Sequence, residues 1–599
     1  MRVLTLILAV AASVPAAAQT ADLILLNGRV YTLDPERPWA EAVAIEGDRI
    51  TAVGTTAEIS ARRGPATRVI DLKGRFALPG FNDAHVHIES TGALLTGVNL
   101  LDVHMHARFE QRIRQAARRL PTGSWITRGD WGAYENWNAG SAGDAGEPTS
   151  MSGSTSSPFT PTRYLIDAAT REHPVFVNRF DRSMYLANSL ALELAGIGPG
   201  TPDPEGGEIV RDGDGHPTGI LKGTAADLVR TVIPPISFDQ RLIQVRAVLK
   251  EAREGGVTTM QDLTSAAQLR AYQELYTRGE LTSRIMLRPT LDNVTHIGAL
   301  GINTGFGDDW LRYIGYKAWV DGIMGSSGAM FFRDYDHDPG NKGQLRTIMR
   351  PESEDGAADA MQEQDHYTSI PPGNLETLLV QAAATGLTPH VHAIGDKGNR
   401  IILDVFERVL TEQALLGTDH RWRVIHAQVV HPDDFARFGR LKLVAEVNPY
   451  HVSDDMRWME ERIGPDRSKG AYAFRTLKDN GAVLIFGSDS PGTNAARYFL
   501  NPVYGLYAAV TRQTLTGEPR AGWFPEQRLT IEEAIEAYTK APAWASFEEE
   551  RKGMLKPGYL ADIAVFDRDL VELGRTRPAD LLDARVDLTL VGGNLVYQR

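Results

Sequence analysis

The sequence of 599 residues contains no cysteine. Disulfide bonds, thiolate zinc sites and a cysteine nucleophile are therefore excluded. A metal ion in this protein must be bound by histidine, by carboxylates or by a modified lysine, and fifteen histidines are available.

Basic residues are also fewer than acidic residues. The chain has 63 Lys and Arg against 76 Asp and Glu, which gives a formal net charge of -13. An acidic surface repels phosphate backbones, so we do not expect a nucleic-acid partner. Apolar residues at 42% and charged residues at 23% are typical of globular proteins, which excludes a disordered, collagen-like or coiled-coil chain.

Long apolar runs are scarce, and the most apolar one lies at the start of the chain. Residues 1–18 read MRVLTLILAVAASVPAAA, with one Arg, an apolar run, Pro15 and three small residues. This pattern predicts a secretory signal peptide cleaved before Gln19. The alternative is a membrane anchor, but the run is short for a bilayer, which needs about 20 apolar residues. We therefore expect export, to a periplasm if the source cell has two membranes, with no membrane attachment afterwards.

The two ends of the chain are similar in character. Residues 22–78 and 553–599 consist of short β-rich runs separated by glycine-containing turns, including Gly592-Gly593. Between them the chain is different, so we expect one small β domain built from both termini.

The middle of the chain, residues 79–552, alternates short apolar runs with helical patterns. Repeated β-then-α units predict a parallel β/α barrel. The interval from about 100 to 225 is too long for one crossover connection, so it predicts an insertion beside the active site. Residues 140–162 and 351–373 predict two further exposed insertions, because the first is rich in Gly, Ser, Thr and Pro and the second is acidic and aperiodic.

His85 and His87 follow an apolar run with a spacing of two residues. Side chains at this spacing on a strand lie on the same side, so the two can bind one cation together. The spacing alone is weak, because His104-Met105-His106 and His390-Val391-His392 repeat it within this chain. Taken singly, such a pair is more often structural than metal-binding.

Three later residues stand where predicted strands end. His392 and His426 follow apolar runs, and Asp489 follows another between Gly487 and Pro491. A single buried histidine is usually a hydrogen-bonded core residue. However, the carboxyl ends of barrel strands carry the active site in β/α barrels, and several candidates in succession favour one shared metal site.

Lys317 lies inside an apolar run. A buried lysine is unfavourable unless its charge is paired or removed. One interpretation is an ion pair with Asp321 or another acid. The other is that CO₂ adds to the amine, because a lysine carbamate is a bidentate anion that can bridge two cations.

Together these residues resemble the amidohydrolase superfamily, in its YtcJ-like branch (amidohydrolase family 3). The similar stretches are LPGFNDAHVHIES, YKAWVDGIMGSSGAM, PHVHAIGDKGN, VIHAQ and GSDSPG, with ANSLALELAGI and TPDPEGGEIVRD in the predicted insertion and GMLKPGYLADIAVFDRD near the C-terminus. The resemblance covers almost all of the chain after residue 18. It implies an α/β fold, a (β/α)8 TIM-like barrel with a small β-sandwich.

The resemblance also implies a binuclear metal site with a small-molecule substrate. The implied ligands are His85, His87, Lys317, His392, His426 and Asp489. The first two bind the more buried metal, the carbamylated lysine bridges both metals, and the two later histidines bind the second. The aspartate contacts the buried metal and handles the proton of the attacking water. Zinc is the expected cation, although manganese and nickel are compatible with the same ligands.

The implied reaction is hydrolysis of a C–N bond in an amide, an N-acyl or N-formyl compound or a cyclic amide, by a metal-activated hydroxide. For His451 we weigh two roles equally: a hydrogen bond to the developing oxyanion, or a structural role beside the site. Ester or lactone hydrolysis is an alternative reaction at the same centre. A non-catalytic exported binding protein is a second alternative, which the intact ligand set disfavours.

Two stretches depart from the family pattern. The chain has Asp181-Arg182-Ser183 where relatives often have a D-G-H-like stretch, and Asn448-Pro449 where Gln-Pro is common. We expect both positions to lie closer to the substrate than to the metals. The sequence leaves the oligomeric state open and is compatible with a homo-oligomer.

Overall fold

The computed structural model of the protein describes residues 20–101, 103, 105–132, 159–179, 182–346, 372–492 and 500–599. The predicted signal peptide lies outside the described residues, as do His104, Asp181 and most of the insertions predicted at 140–162 and 351–373. Among the described helices, none combines the length and the apolar character that crossing a membrane requires.

Short strands occur along the whole described chain. In order they are β1 (Ala21–Leu26), β2 (Arg29–Tyr31), β3 (Trp39–Ala40), β4 (Ala42–Glu46), β5 (Arg49–Gly54), β6 (Arg63–Asp71), β7 (Phe76–Pro79), β8 (Phe81–Val86), β9 (Ile126–Trp131), β10 (Val175–Arg179), β11 (Tyr185–Ala187), β12 (Gly207–Arg211), β13 (Pro217–Gly223), β14 (Val257–Leu263), β15 (Arg284–Arg288), β16 (Leu311–Tyr313), β17 (Gly315–Trp319), β18 (Thr388–Ala393), β19 (Arg423–His426), β20 (Val444–Val447), β21 (Val483–Phe486), β22 (Ile563–Phe566), β23 (Val586–Val591) and β24 (Asn594–Gln598). They form five separate sheets.

Several of the described helices begin after a side chain that accepts a hydrogen bond from one of their first N–H groups. Four have complete capping boxes, formed by Thr55 with Glu58, Ser237 with Gln240, Ser265 with Gln268, and Thr530 with Glu533. The helices are Thr56–Ser60, Ile88–Thr96, His106–Arg119, Arg163–Ile166, Ser189–Leu194, Asp227–Arg230, Phe238–Glu254, Ala266–Thr277, Val294–Ala299, Pro372–Thr385, Asp396–Glu412, Phe435–Arg440, Pro449–Asp455, Met459–Ser468, Phe474–Asp479, Pro502–Thr511, Ile531–Tyr538, Lys540–Ala545 and Leu570–Thr576.

Strands from the two ends of the chain share one sheet. Its order is β24-β23-β22-β7-β2-β3, and β22 runs antiparallel to β7, with Ile563 opposite Pro79 and Phe566 opposite Phe76. A second sheet has the order β5-β4-β1-β6. One apolar cluster joins them: it includes Leu25 and Val43 from the N-terminal strands and Val565, Leu588 and Leu590 from the C-terminal strands. The core of this region therefore needs both ends of the chain.

Two parallel sheets follow each other in the middle of the chain. Their orders are β16-β15-β14-β8 and β17-β18-β19-β20-β21. Only Ile314 separates β16 from β17, so one stretch of chain passes from the first sheet to the second. At the other edge Val86 forms a parallel bridge with Ser490, and the Asp489 N–H donates to the carbonyl of His85 at 2.8 Å. The two sheets thus meet at both edges, which is consistent with a TIM-barrel-like domain of mixed α/β class.

The insertion between β8 and β14 forms its own sheet, with the order β12-β13-β11-β10-β9. The amphipathic helix His106–Arg119 packs Phe109, Ile113 and Ala116 into an apolar cluster with this sheet. Ser183 lies in the connection from β10 to β11 and is exposed.

Asp489 lies in the loop that follows β21, which stops at Phe486. His451 belongs to the helix Pro449–Asp455, which follows β20, and not to a strand end. Proline is favoured at the first helical position, where its missing N–H has no partner to lose, so Pro449 starts a helix here.

We predict that a protein ending at Lys552 aggregates although it retains every predicted metal ligand. The truncation removes β22–β24 and leaves β7 without its antiparallel neighbour. An unpaired apolar strand is a template for association. Size-exclusion chromatography and the soluble fraction after expression measure the effect. A protein ending at Gly593 is the control, because it loses only the partly exposed edge strand β24 and should stay soluble. A monodisperse, active protein ending at Lys552 would contradict the prediction.

Candidate metal centre

The predicted ligands lie at one edge of the two parallel sheets. His85 is in β8 with His87 just after it, Lys317 is in β17, and His392 and His426 are in β18 and β19. Parallel strands place their carboxyl ends at the same edge, so residues far apart in the sequence come together there. Asp489 reaches the same place through the backbone hydrogen bond from its N–H to the carbonyl of His85.

The first group of contacts surrounds the Asp489 carboxylate. Its Oδ1 lies 3.2 Å from His85 Nε2 and 3.1 Å from His87 Nε2. Lys317 Nζ lies 3.5 Å from His85 Nε2. One nitrogen of His85, one of His426 and one oxygen of Asp489 all lie within 4.8 Å of one another, a group that can hold a metal ion. The structure therefore brings together five predicted ligands, which come from β17, β19, the end of β8 and the loop after β21.

His392 extends this group on the side of His426. The two ring centroids are 4.5 Å apart, with the rings nearly perpendicular. His392 Nε2 faces the carbonyl of Gly322 at 3.5 Å and Oδ1 of Asp321 at 3.6 Å. The other ring nitrogen of His392, Nδ1, is therefore on the side of the ring that faces away from Gly322 and Asp321.

Backbone strain also occurs at the site. His426, Ala427 and Asp489 have φ angles of 69°, 41° and 55°, in the left-handed region that disfavours residues with a side chain. Such strain persists only where surrounding contacts over-determine the conformation, and it is typical of functional sites.

Lys317 is buried and is not paired with Asp321. Burial, and then the charge of Arg288, lower the pKa of Lys317 to about 7, so much of the amine is neutral near neutral pH. Asp321 instead accepts hydrogen bonds from three backbone N–H groups, those of Met330, Ile394 and Gly395, at 2.8, 3.0 and 2.9 Å. Asp321 therefore connects the loops after β17 and β18, and it is not the ion-pair partner of Lys317.

The charge states of the side chains suit a cation. Burial lowers the pKa of His85 to about 4 and holds those of His392 and His426 well below the usual value, so all three are neutral at pH 7. Burial alone would raise the pKa of Asp489, but the adjacent His85 ring, and then that of His87, hold it well below its usual range. A metal ligand must be a neutral imidazole or an ionised carboxylate, and these side chains are in those forms.

His451 lies at the edge of the group. Its Nε2 is 3.9 Å from Asp489 Oδ2 and is buried without a hydrogen-bond partner. The adjacent Gly492 leaves room for the ring, because a Cβ there would lie 3.1 Å from His451 Nε2. Of the two roles weighed from the sequence, contact with a bound substrate fits a buried polar atom that has no protein partner.

Two side chains that the sequence analysis did not assign to the site contact its ligands. Glu446 Oε1 lies 2.6 Å from His85 Nδ1, and Asn448 Oδ1 lies 2.6 Å from His426 Nδ1. Asn448 thus contacts a predicted metal ligand directly, and the expectation that it lies nearer to the substrate than to the metals stays a prediction. Glu446 could have been found by the signal that identified Lys317, a charged residue inside an apolar run.

His390 and His106, which belong to the repeated His-x-His spacings, have other contacts. His390 is buried in β18, and its Nε2 lies 2.9 Å from Thr388 Oγ1. His106 begins a helix, and its ring packs against Phe159 with the centroids 4.7 Å apart. Trp131 and Trp458 are buried, so packing accounts for these two aromatic side chains.

The donor set fits a divalent cation. Neutral imidazoles and a carboxylate converge from separate strands, and no thiolate competes with them. Nitrogen and oxygen ligands of this kind suit zinc and neighbouring transition metals.

Comparison with known proteins identifies the family. The profile described as Amidohydro_3, amidohydrolase family, matches residues 68–597. The chain belongs to the amidohydrolase family. A second, short match covers residues 42–62 and is described as an imidazolonepropionase-like composite domain of bacteria.

Several full-length relatives agree with this membership. Protein LONG AFTER FAR-RED 3 of Arabidopsis thaliana is 32% identical over 97% of this chain and 93% of its own length. The putative amidohydrolase YtcJ of Bacillus subtilis and the N-substituted formamide deformylase of Arthrobacter pascens are each 27% identical, over 96% and 97% of this chain and 99% of their own lengths. The resemblance found in the sequence is confirmed.

A solved structure shares the fold. An uncharacterized metal-dependent hydrolase from Pyrococcus horikoshii OT3 superposes with a TM-score of 0.68 at 24% identity, covering 93% of this chain and 99% of that one. At this level of identity the likeness shows the fold alone.

We predict that His392→Asn lowers the metal content of the purified protein, whereas His390→Gln leaves it unchanged. The two histidines are two residues apart on β18, but only His392 lies beside His426. Elemental analysis of protein purified without chelator gives the metal content per chain. Equal losses in both variants would show that the strand, rather than the His392 ligand, determines metal binding.

Proposed function

We propose that this protein is a metal-dependent hydrolase that cleaves a C–N bond of a small molecule, in an amide, an N-acyl or N-formyl compound or a cyclic amide. The observation that carries the proposal is the convergence of His85, His426 and Asp489 on one point, with His87, His392 and Lys317 beside them. The intact set of donors argues against a binding protein that has lost its chemistry.

The residues present would hold two divalent ions, with zinc the expected cation. His85 and His87 would bind one ion together with Asp489, and His392 and His426 would bind the other. Lys317 would bridge them as a carbamate: its neutral amine attacks the carbon of CO₂, an N–C bond forms and one proton leaves to solvent. When bound, the metal ions acidify water and polarise a carbonyl group.

Asp489 and His451 carry the remaining steps. Asp489 accepts the proton of the attacking water and returns it to the leaving amine, acting first as a general base and then as a general acid. His451 would donate a hydrogen bond from its Nε2, which is buried without a protein partner, to the oxygen of the substrate carbonyl as negative charge develops there. His451 is buried, whereas the Asp489 side chain is 18% exposed.

Amide cleavage is favoured over ester or lactone cleavage by one relative. The formamide deformylase of Arthrobacter pascens, by its name, acts on the C–N bond of N-substituted formamides, and it covers nearly the whole chain. Ester hydrolysis remains the second candidate, since the same carbonyl chemistry applies to both substrates.

We also propose the larger organisation that the sequence analysis anticipated. The two parallel sheets would close one (β/α)8 barrel over residues 79–552, and residues 22–78 with 553–599 would form one β-sandwich domain. The apolar start of the sequence supports export to a periplasm after removal of residues 1–18. The mass of the N-terminal peptide from cell-fractionated protein tests the export proposal.

We predict that Lys317→Ala loses most of the activity together with one equivalent of metal, because the bridging carboxylate is lost. Short carboxylic acids such as formate or propionate should restore part of both. Elemental analysis and ¹³C NMR of wild-type protein supplied with ¹³C-bicarbonate provide the measurements. Full metal content in Lys317→Ala and no carbamate signal in the wild type would contradict the proposed bridge.

We predict that Asp489→Asn lowers kcat/KM for N-formyl and N-acyl amines by about 10²–10⁴-fold, the usual range for a general acid–base residue. Hydrolysis of matched esters should fall less, because an alkoxide leaves with less need for a proton than an amine does. Metal-loaded wild type is tested first on formamides, N-acyl amino acids, cyclic imides and lactones. Turnover of lactones alone would replace the amide proposal with the ester alternative.

A further inference from the structure

β20 lies between two strands that carry predicted metal ligands or lead to one, but it contributes no ligand of its own. Glu446 in this strand and Asn448 just after it are two residues apart, so their side chains lie on the same side of the chain. Both are buried, and each contacts Nδ1 of a different predicted ligand. The two contacts share the same length of 2.6 Å.

In the contact between Glu446 and His85, only one assignment of donor and acceptor is possible. Arg288 Nη1 and Arg423 Nη1 lie 2.7 and 3.1 Å from the two carboxylate oxygens of Glu446, which keep this buried carboxyl ionised. An ionised carboxylate accepts hydrogen bonds and cannot donate them. The proton of the His85 ring must therefore be on Nδ1.

A competing donor near the same nitrogen does not change this conclusion. Arg288 Nη2 lies 3.3 Å from His85 Nδ1, but it donates at 2.8 Å to the carbonyl of Gln261. The shorter contact with Glu446 is therefore the one that sets the tautomer of His85.

The contact between Asn448 and His426 is fixed in the same way by a different neighbour. Asn448 Nδ2 donates to the carbonyl of Gly487 at 3.1 Å. A carbonyl oxygen can only accept, so the amide cannot be turned around, and its Oδ1 faces His426 Nδ1. His426 Nδ1 must then donate, which puts the proton of this ring on Nδ1 as well.

We propose that Glu446 and Asn448 are positioning residues that fix His85 and His426 as Nδ1–H tautomers and direct the Nε2 lone pairs of both rings at the metal ions. The inference rests on the proposed metal-dependent function. Glu446 in β20 would orient His85, a ligand of the more buried ion, and Asn448 just after β20 would orient His426, a ligand of the other ion.

The Nδ1–H tautomer leaves a lone pair on the opposite side of the His85 ring. The Nε2 that carries it lies 3.2 Å from a carboxylate oxygen of Asp489. Two acceptors at this distance repel each other unless a cation lies beside them, so this tautomer would favour a bound cation, whereas an Nε2–H tautomer would form an ordinary hydrogen bond to Asp489 instead.

The central test compares Asn448→Leu with Asn448→Asp. Both variants lose the donor to the Gly487 carbonyl, but only leucine loses the acceptor for His426 Nδ1. We expect Asn448→Leu to bind Zn²⁺ about 10–100-fold more weakly than wild type, and Asn448→Asp to bind at least as tightly as wild type. Competition with a chromophoric chelator measures the affinity, and the visible spectrum of Co²⁺-loaded protein reports the ligand geometry without catalysis.

The second arm compares Glu446→Leu with Asp562→Leu. Each removes the carboxylate from a buried arginine–carboxylate contact, and Asp562 pairs with Arg284 at 2.7 and 2.8 Å without contacting a predicted ligand. Leucine at position 446 also removes the acceptor for His85 Nδ1, which the amide oxygen of a glutamine would retain. Similar losses of stability in chelator, with weaker Zn²⁺ binding and a changed Co²⁺ spectrum in Glu446→Leu alone, would support the inference.

Each contrary result has its own meaning. Wild-type affinity in both Asn448→Leu and Glu446→Leu overturns the inference and leaves the proposed function intact. Equal weakening in Asn448→Asp and Asn448→Leu, or in Asp562→Leu and Glu446→Leu, also overturns it, because a general loss of packing then explains the effect. Wild-type protein that binds no Zn²⁺ or Co²⁺ overturns the proposed function itself, and this inference with it.

Discussion

The contact between β8 and the loop after β21 is the constraint on which the rest of the site depends. Asp83 Oδ1 accepts hydrogen bonds from the N–H groups of Ser488 and His85, and the Asp489 N–H donates to the carbonyl of His85. These bonds join the first and last of the parallel strands and hold Asp489 in its left-handed conformation. Without them, His85 and Asp489 would have no common position, because some four hundred residues separate them in the sequence.

Much of the site could be predicted from the sequence because the signal was local. His85, His392 and His426 end apolar runs, and the strand-end rule for β/α folds places such residues together. Lys317 was visible as a charge within an apolar run. The positions of β4 and β23 coincide with the predicted runs, since alternating or continuous apolar residues bounded by turns define a strand.

What the sequence did not reveal depends on contacts between distant residues. The role of Glu446 depends on its contacts with Arg288, 158 positions earlier in the sequence, and with His85, 361 positions earlier. No local pattern records such partners. Asn448 was noticed as a departure from the family, but its role depends on the carbonyl of Gly487, which only the packing of β20 beside β21 brings within reach. The free-energy cost of burying Glu446 and two arginines is offset only in the assembled interior.

The pairing of β7 with β22 has a consequence for how the chain is made. β7 leaves the ribosome early, but its antiparallel partner begins at residue 563. Synthesis at roughly 5–20 residues per second leaves a delay on the order of a minute between the two. During that interval the N-terminal strands have no completed sheet to join. A chain that cannot finish its first domain stays unfolded for longer, and contacts between such distant segments also make folding slow. The newborn polypeptide therefore offers chaperones a long period in which to bind it.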